Sequence, residues 1–248
     1  MILRLLADRD GHRLAGPGWY SGAAHRAGTL PGLQGGDDRA QRGQFGVPPG
    51  EPDVAGSHLG SGALAVLGLT GLDEFPGAPD VPETGLTFAD NALLKARAIA
   101  AYTGLPAVSD DSGLTVNALN GMPGILSARW AGKHGDDQAN LDLVLAQLAD
   151  IDSRGAAFVC VAALALPGGT VSAGGTVSSD GTAEWTTTGV LPGRLTREPR
   201  GTNGFGYDPI FVPDGMETTT AELAPQDKDA ISHRGRAFRA IAKVIAGL

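Results

Sequence analysis

Residues 107–116 read Ala-Val-Ser-Asp-Asp-Ser-Gly-Leu-Thr-Val, two short apolar runs flanking the neighbouring carboxylates Asp110 and Asp111. Asp, Ser and Gly are favoured turn formers. The expectation is therefore two short strands, residues 107–108 and 114–116, joined by a sharp acidic bend. Just upstream, Thr87 and Asp90 make a capping-box pattern, and Phe88, Ala92, Ala96, Ile99 and Ala100 recur at helical spacing. Thr103-Gly104 followed by Pro106 ends that helix. Asn91 and Lys95 fall one turn apart on another of its faces, where they can act as a pair.

Working outward, Asn120-Gly121-Met122-Pro123-Gly124 predicts another bend. Leu141, Val144, Leu145 and Leu148 follow the spacing of a core-packing helix, with Asp136 and Asp137 near its positive N-terminus. Residues 156–166 form a near-continuous apolar run suited to a strand buried on both faces, and residues 170–190, rich in Thr, Val, Ser and Gly, read as hairpin strands. A last helix is expected from Ser232, burying Phe238, Ile241, Ala242 and Ile245. Residues 66–248 thus read as one α/β domain.

Residues 1–65 differ in kind: Gly, Ala, Arg, Pro and Asp dominate, lysine is missing, and no periodicity is sustained. Such composition favours disorder. It is also what out-of-frame translation of a GC-rich gene can yield, so this segment is expected to be disordered or mistranslated through a frameshift or a mistaken start, with a genuine divergent N-terminus as the alternative.

The bulk figures set bounds. With 248 residues and 42% apolar content the chain can bury a sizeable core. Its net charge of −8 argues against a broad nucleic-acid-binding face, while a small anionic substrate escorted by a cation remains compatible. Cys160 is the only cysteine, which excludes an intrachain disulfide and a zinc cluster and points to a reducing cytoplasm. No apolar run is long enough for a membrane helix, and the opening Met1–Leu6 run meets Asp8-Arg9-Asp10 too soon for a signal peptide, so a soluble, unprocessed protein is expected.

Three clusters carry chemistry. Mg²⁺ is commonly held by one or two carboxylates together with substrate phosphates, and Asp110, Asp111 and Glu83 supply such groups; the same residues also suit a turn and a solvated charge. In Gly204-Phe205-Gly206-Tyr207-Asp208-Pro209 the aromatics can stack on a base and Asp208 can accept a bond from it, or Phe205 and Tyr207 are core aromatics around a glycine bend. Ser232 is a natural N-cap that places His233 and Arg234 where backbone N–H groups attract anions; solvated helix charges are the alternative. Lys95 and Lys228 read as phosphate contacts or exposed lysines.

In order along the chain stand residues 83–92 (Glu-Thr-Gly-Leu-Thr-Phe-Ala-Asp-Asn-Ala), Lys95-Ala96, residues 110–114 (Asp-Asp-Ser-Gly-Leu) and residues 121–124 (Gly-Met-Pro-Gly). Ser127-Ala128-Arg129, residues 204–211, Ala221-Glu222-Leu223, Lys228 and Ser232-His233-Arg234-Gly235 follow. From about Leu67 to the C-terminus this series resembles the inosine triphosphate pyrophosphatase family. The resemblance implies an elongated, two-lobed α/β fold with a long central mixed sheet flanked by helices. It implies Mg²⁺-dependent hydrolysis of non-canonical purine nucleoside triphosphates (ITP, dITP, XTP) to monophosphate and pyrophosphate, by a homodimer. By position it makes Asp111 the proton acceptor, with Asp111, Asp110 and Glu83 at the metal. Asn91, Lys95, Ser112, Phe205, Gly206, Tyr207, Asp208 and Lys228 become substrate contacts, and His233-Arg234 the pair that recognises a 6-oxo purine. Family members open with a strand and a Thr/Ser-Gly-Asn-x-x-Lys loop around the triphosphate, which residues 1–65 do not match. Two other readings stand beside it: a non-catalytic purine nucleotide-binding protein lacking that loop, and a Maf-like pyrophosphatase with another base preference.

Overall fold

The Thr87 hydroxyl accepts from the Asp90 N–H at 3.1 Å, and the Asp90 carboxylate accepts from the Thr87 N–H at 3.0 Å. Helix α1 (Phe88–Thr103) therefore starts where the capping pattern puts it and ends at Gly104 in the left-handed region, φ 68°. The structure, a computed structural model, describes Leu3–Ala7 and Leu67–Leu248 except residues 170, 172 and 173. These two stretches belong to one unit, and the disorder or mistranslation expected of residues 1–65 otherwise lies outside the described residues.

Strand β1 (Leu3–Ala7) is a difference from the sequence reading, which found no strand before residue 66. It is held by neighbours on both sides rather than by its own pattern, pairing with β2 (Leu67–Thr70) and with β3 (Ala107–Val116). Across β3 lies β4 (Gly155–Leu166), then β6 (Ala183–Leu195), with β5 (Thr176–Val177) and β7 (Phe211–Pro213) pairing to β6. The α/β class with flanking helices is as expected. Each described pairing, however, is antiparallel where a mixed sheet was expected, because no described connection returns as a parallel crossover.

The decisive correction concerns residues 107–116. They form one unbroken strand whose register runs from Ala107↔Ala165 to Val116↔Ala156 and includes Asp110↔Ala162 and Asp111↔Val161. A full ladder against a buried apolar partner outweighs the local turn preference of Asp-Asp-Ser-Gly. Successive side chains on a strand point to opposite faces, so the two aspartates part company. On one face Ala107, Val161, Ala163 and Ala165 pack on Ala92, Ala96, Ile99 and Ala100 of α1. On the other, Val108, Cys160, Ala162 and Leu164 pack on Ala237, Phe238 and Ile241 of α4 (His233–Ala246). Farther along that second face, Leu114, Val116 and Phe158 meet Leu141, Val144 and Leu148 from α2 (Asp137–Gln147) and its flank.

Helix α4 buries Ala237 in place of the expected Ala242, which is exposed; its apolar stripe is centred on Ala237 and Ile241, and Ile245 is half-buried. Gly189 of β6 lets this helix lie directly on the sheet, since a Cβ there would run into the His233 carbonyl and the Ala237 amide. A short helix α3 (Pro225–Ile231) precedes it, and Ser232 caps α4 by accepting from the Gly235 N–H at 2.9 Å.

Candidate active site

On the α1 face, fully buried Asn91 donates from Nδ2 to Asp111 Oδ2 at 2.9 Å, and the Ser112 N–H donates to Asp111 Oδ1 at 2.9 Å. Each carboxylate oxygen is thereby oriented. The Asn91 carbonyl accepts from the Gly85 N–H at 2.8 Å, which ties the loop bearing Glu83 to the same helix. Lys95 Nζ lies 2.7 Å from Glu83 Oε1 and 3.9 Å from Asp111 Oδ1. Burial raises the Asp111 carboxyl above the ordinary aspartate range, against the pull of the Asn91 bond and of Lys95. Beside this group opens a cavity of about 370 Å³, lined in part by Leu72, Asp80, Glu83, Lys95, Arg129 and His134.

On the opposite face, Arg234 Nε donates to Asp110 Oδ2 at 2.9 Å and its Nη2 to Ser112 Oγ at 3.1 Å. The His233 ring stacks on Phe158, with centroids 5.0 Å apart and planes 16° off parallel. Burial first, then the Arg234 and Lys228 cations, push the imidazole down to about 3. His233 is thus neutral, and its ring resonances are expected to stay fixed in an NMR titration from pH 8 to pH 5. A midpoint near the ordinary value of about 6.5 would contradict this environment. The folded value lies below the unfolded one, so as pH falls from about 6.5 toward about 3 the unfolded chain binds the proton first and His233 withdraws stability in that window.

A third group surrounds residues 204–208. The buried Asp208 carboxylate accepts from the Phe205 N–H at 2.8 Å, from the Thr220 hydroxyl at 2.8 Å, and from the Lys228 ammonium. Gly204, at φ 80°, leaves room for it: a Cβ would collide with that carboxylate. Phe205 is 62% exposed, with Lys228 Nζ 5.0 Å from its ring centroid. Tyr207, by contrast, is buried, and its hydroxyl donates to the Ser127 carbonyl at 2.9 Å.

The profile of the Ham1 family matches residues 58–244. The chain belongs to the Ham1 family. Among its relatives, the dITP/XTP pyrophosphatase of Streptomyces coelicolor is 59% identical over 182 residues, covering 73% of this chain and 84% of that protein. That of Nocardia farcinica is 53% identical over 192 residues, covering 77% and 87%. The solved Ham1 protein of Staphylococcus aureus superposes with a TM-score of 0.63 at 38% identity, covering 72% of this chain and 86% of that one. The resemblance read from the ordered motifs is borne out.

Within this Ham1 chain the expected residues fall into three sets. Asp111, Asn91, Lys95 and Glu83 meet on one face; Asp110, Ser112, His233 and Arg234 gather on the other; Phe205, Asp208 and Lys228 form the loop group, with Gly206 beside them. Glu83, Asp110 and Asp111 do not surround one ion, since strand alternation turns Asp110 toward Arg234. Among the described residues no group of three His, Cys, Asp or Glu side chains is placed to hold a metal. Two further expectations are corrected. Tyr207 packs in the core instead of presenting a face to a base, and the Asp208 carboxylate already accepts from Phe205, Thr220 and Lys228. Sequence reasoning missed Arg129, whose guanidinium lies 3.7 Å from Glu83 Oε2, and Asp137, which accepts from the Gly206 N–H at 2.9 Å. The ordered match at Ser127-Ala128-Arg129 was a signal for the first; nothing local signalled the second.

Proposed function

We propose that this protein hydrolyses non-canonical purine nucleoside triphosphates of the dITP, ITP and XTP type to the monophosphate and pyrophosphate. The observation that carries the reading is the Asp111 carboxylate, oriented by Asn91 and Ser112 with Lys95 between it and Glu83. The names of the Ham1 relatives, dITP/XTP pyrophosphatases, supply the substrate class.

In this reading Asp111 takes a proton from water as the water oxygen bonds to the α-phosphorus. The bond from that phosphorus to the oxygen bridging to the β-phosphorus breaks, and pyrophosphate departs. A carboxyl raised by burial is a better base near neutral pH than an ordinary one. Lys95, with Arg129 at the cavity wall, balances charge on the phosphates. Two carboxylates converging on one ammonium are a hard-oxygen setting suited to Mg²⁺, so Asp111 and Glu83 are the residues that would hold it. When bound, Mg²⁺ would neutralise charge building on the leaving group. The neutral His233 and the Asp110-anchored Arg234 offer donors to a 6-oxo group; a 6-amino group would leave such a donor unpaired, which is the basis of selection against adenine.

The proposal extends to a cytoplasmic homodimer that cleanses the nucleotide pool, a reading supported by the family resemblance and the single cysteine. No helix among the described residues is long and apolar enough to cross a membrane. The test is incubation with dITP and Mg²⁺, scoring pyrophosphate against orthophosphate, with dATP, dTTP and UTP in parallel. Pyrophosphate from dITP in preference to the other three is the expected result; binding of dITP without release sinks the catalytic reading.

A further inference from the structure

Asp137 opens α2 and makes a contact that its helix does not need: its Oδ2 accepts from the Gly206 N–H at 2.9 Å, across 69 positions of sequence. Gly206 sits in the left-handed region at φ 61°, a conformation that without an anchor has many alternatives for glycine. One residue earlier the Phe205 N–H is held by Asp208. Successive N–H groups on both sides of the Phe205 α-carbon are thus bound by carboxylates from separate elements, and the exposed ring is aimed over Lys228. Ser127 reinforces the same union, since its carbonyl accepts from Tyr207 while its hydroxyl accepts from the Leu114 N–H of β3.

We propose that Asp137 is a positioning residue for purine recognition, acting through Gly206 to fix the direction of Phe205. This rests on the reading of the activity given above. A charged residue in the first turn of a helix also stabilises that helix through its dipole, so the test must separate the two roles. Asp137→Asn keeps an oxygen acceptor for Gly206 and loses the charge; Asp137→Ala loses both. If Asp137 positions the loop, Asp137→Ala raises KM for dITP about tenfold, the scale of one charge-assisted bond, with kcat within about twofold. Asp137→Asn stays close to the parent, and the rise disappears in a Phe205→Ala background.

A second readout needs no substrate: hydrogen exchange of the Gly206 amide speeds about tenfold in Asp137→Ala and little in Asp137→Asn, the scale of one lost anchor. An unchanged KM, equal damage from both substitutions, or an undiminished rise without Phe205 overturns the proposal. Should the parent protein release no pyrophosphate, the activity reading falls, and the Gly206 amide alone decides whether the tether exists.

Discussion

Asp111→Asn is expected to lower kcat on dITP about 10²–10⁴-fold, the usual contribution of a positioned general base, while leaving the protein folded. Asn91 can still donate to the amide oxygen of the new side chain, and Lys95 keeps Glu83. Stability has its own dependence on pH. Because burial raises the Asp111 carboxyl, the unfolded chain loses this proton first as pH rises. The stability the group contributes is whole below the unfolded value, about 3.9, and is lost as pH climbs through the raised folded value. At neutral pH the native protein therefore carries a desolvation cost that the amide removes, but the amide NH2 would face the Ser112 N–H that Oδ1 accepts in the parent, so the variant's Tm should stay within about 2–4 °C of the parent's. The parent's kcat/KM should show an acidic limb that the variant lacks. Full turnover in Asp111→Asn would end the assignment of this residue as base.

The second large effect is on folding. Asp208→Ala is expected to destabilise the protein by about 1–3 kcal/mol, the cost of leaving donors that meet a buried carboxylate without their acceptor. Asp208 is 2% exposed, and its loss strands the Lys228 ammonium, the Phe205 N–H and the Thr220 hydroxyl together. Since that carboxylate holds the loop from within, the urea midpoint and the affinity for dITP should fall in the same variant. Asp208→Asn, which keeps an acceptor but not the charge, should lie between the two. A shift below about 1 kcal/mol in Asp208→Ala, the range of an exposed pair, would show that solvent replaces these contacts.

Where local chemistry governs, the sequence is readable. Helix α1 begins and ends as its capping box and Gly104 dictate, and Leu141, Val144 and Leu148 bury as their spacing requires. The family's ordered motifs located the Asp111 group even though the strand that carries Asp111 was misread. Residues 109–113 were misread because turn propensity is a local quantity, whereas the ladder to β4 comes from residues about fifty positions away. The role of Tyr207 depended on the Ser127 carbonyl, 80 positions earlier, and the Gly206 anchor on Asp137. No window of sequence contains either pair.

The unbroken course of β3 has a consequence for how this gene can change length. A single codon gained or lost between Ala107 and Asp110 would slip the register by one and exchange the destinations of the two acids, sending the water-activating carboxylate toward Arg234 and its neighbour toward Lys95. Compensation demands a second insertion or deletion in the same strand. Natural variation in length should therefore spare this segment and collect in connections such as residues 131–135, where parity has no meaning.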